Sequence, residues 1–76
     1  MKSYVLVKIR AGKVKEVVQQ LRKSECIIGA NMTFGPYDAV AVLESAELHG
    51  LGNIIASVAQ PIPGVGQTLT CLAVEV

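Results

Sequence analysis

The sequence predicts an α+β fold in the order β-α-β-β-α-β, and three observations carry that expectation. Apolar and polar residues alternate at both ends of the chain. Two inner stretches repeat apolar residues at helical spacing. Gly35-Pro36 and Pro61-Ile62-Pro63-Gly64 punctuate the chain between elements.

Each element has its own reason. Residues 3–10 read as a strand, with Val5, Val7 and Ile9 on one face and Tyr4, Leu6, Lys8 and Arg10 on the other. Gly12 breaks that pattern. Residues 13–23 read as a helix, because Val14, Val17, Val18 and Leu21 fall at i, i+3, i+4 and i+7. Arg22 and Lys23 sit in its last turn, where cations suit the helix dipole. Residues 26–34 read as a second strand, in which Cys26, Ile28, Ala30, Met32 and Phe34 alternate with Ile27, Gly29, Asn31 and Thr33. A short hairpin connection leads to residues 38–44, apolar from Ala39 to Leu43 as a central strand is.

Residues 46–59 read as a second helix. Its apolar stripe is Leu48, Leu51, Ile54, Ile55 and Val58. Its other face is small rather than charged: Gly50, Gly52, Asn53, Ala56, Ser57 and Ala59. Pro61 ends it, and Ile62-Pro63-Gly64-Val65 is a turn. Residues 67–75 form the last strand, with Leu69, Cys71 and Ala73 opposite Thr68, Thr70, Leu72 and Val74.

This order is the split β-α-β, or ferredoxin-like, arrangement, here one domain over residues 1–76. Strands one and three are expected in the centre, with both helices on one face because the crossovers are right-handed. The other face is then bare. It includes Leu6, Phe34 or Thr33, and part of the strand 38–44, and that apolar area predicts a partner sheet.

Composition narrows the function classes. The chain has 76 residues and a net charge of +1, but the charge is divided. All seven cations lie between Lys2 and Lys23 with one anion, Glu16, for a local net charge of +6. Residues 24–76 hold five acids and no cation, and the 26 residues from His49 to Val74 carry no Asp, Glu, Lys or Arg. That stretch is either in a membrane or covered by protein. A spanning helix needs about 20 predominantly apolar residues. Pro61, Pro63, Gly64, Gly66, Gln60, Gln67, Thr68 and Thr70 interrupt the run, so no membrane contact is expected. The start has no signal-peptide pattern, and the expected location is cytoplasmic. A lone monomer this small is expected to be only marginally stable, and two cysteines make no disulfide scaffold, so oligomerisation is the expected remedy.

Three other features read as ordinary. Cys26 and Cys71 fall on opposite edge strands, too far apart to bridge, and are taken as packing residues. His49 has no second histidine near it, so no metal ligand set and no cofactor are expected. The cations of the first third lack aromatic platforms. Direct nucleic-acid binding is therefore not expected, and pairing with the acids of the later half, within or between subunits, is.

The segment Phe34-Gly35-Pro36-Tyr37-Asp38-Ala39-Val40-Ala41-Val42 is the most informative in the chain. A glycine, then Tyr-Asp, then an apolar strand, in the middle of this element order, resembles the effector-binding domain of the Lrp/AsnC regulators. Ile62-Pro63-Gly64-Val65 followed by Thr68-Leu69-Thr70 is similar to the same family's pattern. The resemblance covers essentially the whole chain. Strand one begins near residue 3, which leaves no room for the family's helix-turn-helix. The chain thus looks like the stand-alone form of the domain, the RAM module.

The resemblance implies a non-catalytic, amino-acid-responsive module. It implies a homodimer, a dimeric α/β barrel, that assembles into a ring of four or five dimers, an octamer or decamer. A free amino acid would bind in clefts between dimers, and full-length Lrp/AsnC regulators are the implied partners. Carried over residue by residue, the ligand contacts are Gly35, Tyr37 and Asp38 in the hairpin and Thr68 and Thr70 in the last strand.

The chemistry of those side chains fits independently. Asp38 is the one acid between Glu25 and Glu44 and can accept from an ammonium. The Gly35 and Tyr37 amides, or the threonine hydroxyls, can donate to a carboxylate. Two alternatives stay open: a structural assembly module without ligand, and a small dimeric-barrel enzyme of monooxygenase or isomerase type. The second has only Asp38, Glu44, His49 and Tyr37 to work with, in no visible pairing. No catalytic residue is assigned.

Overall fold

The computed structural model describes residues 2–46 and 48–74, with Leu48 and His49 as backbone alone. The elements are β1 (Lys2–Ile9), α1 (Val14–Arg22), β2 (Ile27–Met32), β3 (Ala39–Glu44), α2 (Leu48–Ile54) and β4 (Val65–Leu72). A π-helical segment, Ile55–Ala59, continues α2. The strands form one antiparallel sheet in the order β2-β3-β1-β4. The expected α+β, ferredoxin-like arrangement is therefore what the chain adopts, with strands one and three central.

Alternation in β1 and β3 builds the core. Ser3, Val5, Val7 and Ile9 of β1, and Ala39, Ala41 and Leu43 of β3, are buried on one side of the sheet. Val17, Val18 and Leu21 of α1 close over them, together with Leu51 of α2 and Ile55 and Ala59 of the π segment. A fully buried Val or Leu contributes about 1.5–3 kcal/mol. Both helices thus cover one face.

Two local departures from the expected pattern have a physical cause. Ile27 and Ala30 of β2 are both buried although they are three residues apart. Leu43 faces Ile27 and Val42 faces Gly29, so Ile28 is an extra residue, a β-bulge, and it turns outward at 60% exposure. In the second helix the Gln60 amide donates to the Ile55 carbonyl five residues back. That wider winding puts Leu51, Ile55 and Ala59 in one buried row. Ala59 is therefore a core residue, not part of the small outward face.

The boundaries differ modestly. β4 starts two residues earlier than expected and ends at Leu72, and residue 75 lies outside the described residues. So do the side chains of Leu48 and His49. Cys26 and Cys71 are both exposed, which corrects their reading as packing residues. Lys13 pairs with Glu16 at 3.5 Å on its own helix rather than with an acid of the later half.

The turn before β4 docks on α1. The Arg10 amide donates to the Gly64 carbonyl at 2.8 Å, and the Val65 amide to the Ile62 carbonyl at 3.1 Å. Gly64 sits at φ +101, and a Cβ there would lie 2.9 Å from the Lys13 Cβ. Glycine is required on both counts, by backbone geometry and by the closeness of α1.

Candidate functional site

The connection from β2 to β3 is tied at both ends. The Thr33 amide donates to the Asp38 carbonyl at 3.0 Å, and the Thr33 hydroxyl donates to the Tyr37 carbonyl at 2.9 Å. The Asp38 amide donates to the Val7 carbonyl at 2.9 Å. Gly35 takes φ +141, a conformation L side chains avoid, so its glycine is a backbone requirement.

The Asp38 side chain completes the attachment. β3 starts at Ala39 opposite Val7, so the Ile9 amide projects past the end of that ladder. Asp38 Oδ2 accepts from it at 2.7 Å. One carboxylate oxygen is thus committed within the chain, a charge-assisted bond to backbone. Tyr37 is half-buried, and the Lys8 ammonium stands 5.8 Å from its ring centroid, within cation-π range.

Lys8 joins this loop to a second feature. Gln67 faces Lys8 and Val65 faces Ile9, so Gly66 is the extra residue of a bulge in β4. Beside it lies a cavity of about 440 Å³ lined by Lys8, Ile9, Arg10, Gly64, Val65, Gly66 and Gln67. Its volume is in the range of small-molecule sites, about 300–1,000 Å³.

The structure brings Gly35, Tyr37 and Asp38 together in one loop, and places Thr68 and Thr70 elsewhere. The two threonines face Val7 and Val5 across β1, on the helix side of the sheet. Thr68 is half-buried, with Gln60 Nε2 3.4 Å from its hydroxyl, and Thr70 is exposed. β1 lies between the two groups. Two strand spacings separate them, about 10 Å.

Sequence reading missed Lys8 and Arg10 as cavity residues. As alternating cations at a strand end they look like a solvated face. The available signal was the pair of glycines, Gly64 and Gly66, that opens β4 beside them. Among the described residues no group of three His, Cys, Asp or Glu side chains could hold a metal ion. No helix among them is long and apolar enough to cross a membrane.

The family model described as the Lrp/AsnC ligand binding domain matches residues 2–76. The chain belongs to the Lrp/AsnC family. The HTH-type transcriptional regulator FL11 of Pyrococcus horikoshii is 33% identical over 75 residues, covering 99% of this chain and 49% of that protein. The chain therefore spans about half the length of the curated relatives it matches. Among solved structures, FFRP-DM1 is similar with a TM-score of 0.89 at 26% identity, over 96% of this chain and 97% of that one. The transcriptional regulator NMB0573 of Neisseria meningitidis, solved as a complex with L-Met, has a TM-score of 0.86 at 14% identity over 97% of this chain and 49% of that one. At that identity the likeness is one of fold.

Proposed function

We propose that this Lrp/AsnC ligand-binding chain is a non-catalytic regulatory module, one domain over residues 1–76, that senses a free amino acid. In this reading it forms homodimers that assemble into a ring, an octamer or decamer, in the cytoplasm. Gly35, Tyr37, Asp38, Thr68 and Thr70 contact the effector in clefts between dimers. It works without a bound cofactor, nucleic acid or membrane, and acts on full-length Lrp/AsnC regulators through the shared interface.

The observation that carries this reading is the divided site. The hairpin loop and the two threonines lie on either side of β1, so one small molecule that touches both sets is best shared between two copies. The L-Met complex of the Neisseria regulator supports an amino acid as the class of ligand. The half-exposed face of the sheet, with Tyr4 at 39% and Leu69 at 46% exposure, supports a partner sheet. Effector binding shifts assembly only by its differential affinity for the alternative assemblies.

Titration calorimetry against the twenty amino acids, paired with light scattering, tests the proposal. Heat for at least one amino acid, with a change in assembly, is the expected result. No heat for any of them overturns it. A second reading has its own observation: Asp38 already spends one oxygen on the Ile9 amide, as a purely structural aspartate would. An assembly that is the same with and without amino acids favours that structural module.

A further inference from the structure

The cavity at the β1–β4 bulge has an electrostatic character that the five expected contact residues do not share. Lys8 and Arg10 both line it, and Gly64 and Gly66 leave two positions of its wall without side chains. Among the described residues neither cation forms an ion pair with a carboxylate. Lys8 stands over the face of the Tyr37 ring, at 5.8 Å. Arg10 uses its backbone amide on the Gly64 carbonyl and leaves its guanidinium for a guest.

The acid that joins this end of β1 is Asp38, with Oδ2 held by the Ile9 amide. Lys8, Arg10 and Asp38 together carry a charge of +1. A zwitterionic amino acid with a neutral side chain leaves that charge in place. A dicarboxylic amino acid, with its net charge of −1, cancels it. Its ammonium has the free oxygen of Asp38, and one carboxylate has the Arg10 guanidinium, which binds carboxylates in a two-pronged geometry.

We infer that this end of the molecule, through the Lys8–Arg10 cavity next to the Tyr37-Asp38 loop, selects an acidic amino acid as effector. The inference rests on the amino-acid-sensing reading given above and adds the class of side chain. It also gives the basic start of the chain a use at the site.

The test compares each acid with its own amide, which has nearly the same shape. Calorimetry on the full chain is run with L-glutamate against L-glutamine and L-aspartate against L-asparagine. At least one acid is expected to bind about tenfold tighter than its amide or better. The preference is expected to shrink as salt is raised, because the cations are exposed. Arg10→Gln is expected to erase the discrimination and leave amide binding in place. Lys8→Gln serves as the second variant, and thermal melts confirm that both are folded.

Amides or other neutral amino acids binding as tightly as the acids overturn this inference and leave amino-acid sensing standing. Absence of binding by any amino acid overturns both. Discrimination that survives in Arg10→Gln and Lys8→Gln alike also overturns the assignment to this cavity.

Discussion

The two faces of the sheet are made of alternating residues on the same strands, yet they end in opposite environments. Val5, Val7 and Ile9 of β1 are buried under the helices, while Tyr4, Leu6 and Lys8, one step along, are exposed or half-exposed. Across the open face Leu6 faces Val40 on one side and Leu69 on the other, an apolar row that no element among the described residues covers. The contrast separates two tasks. The helix side holds the fold together, and the open side is available for association.

The sharpest way to break the comparison is to exchange the two environments with one substitution. Val7 has no exposed surface. Val7→Lys puts an unpaired ammonium into the core, at a cost above about 4 kcal/mol. A domain of this size has roughly 4–11 kcal/mol in total. Loss of the cooperative urea transition is the expected outcome. A normal transition would mean that the core on this side is not closed.

Gly64→Ala tests how the helix side is sealed at its edge. The substitution meets both an unfavourable φ of +101 and the Lys13 Cβ at 2.9 Å. Destabilisation of about 2–4 kcal/mol is expected by chemical denaturation. Gly35→Ala makes a control, since its added Cβ meets nothing within 4 Å and only the backbone conformation opposes it. A smaller loss there than at Gly64 supports the packing part of the argument.

How much of this was legible depended on whether a local rule was left undisturbed. β1 kept strict alternation, so its buried and open residues could be read directly. β2 did not, because the bulge at Ile28 moved Ile27 and Ala30 onto the same side. A bulge needs a partner strand to exist, and a single strand's pattern does not contain it. The π winding buried Ala59 for a similar reason: backbone bonding, not hydrophobic period, decided the face. Gly35, Tyr37 and Asp38 were visible as a motif through the family resemblance. The cavity beside Lys8 and Arg10 was not, because it forms where the end of β1 meets the start of β4.

Asp38 ties the loop before β3 to β1. Asp38→Ala leaves the Ile9 amide without its acceptor, and destabilisation of about 1–3 kcal/mol is expected. Asp38→Asn keeps an acceptor oxygen and is expected to lose less. If the aspartate is only structural, ligand binding by the Asn variant follows its stability. If it also receives the effector's ammonium, calorimetry on Asp38→Asn shows affinity falling more than stability does.

The smallest effect on the fold, and the most informative for assembly, belongs to Leu6→Lys. This position neighbours Val7 but points to the open face, half-exposed between Val40 and Leu69. A lysine there keeps its head group in water along the sheet, so a single chain loses about 0.5 kcal/mol or less. Two facing sheets are a different matter, because each copy then brings an unpaired charge to the centre of the contact. Light scattering is expected to report a monomer for Leu6→Lys, with circular dichroism unchanged from the parent. An assembly of the parent's size would mean that the open face does not carry the contact between copies. The Val7→Lys and Leu6→Lys pair thus separates folding from association at adjacent positions on one strand.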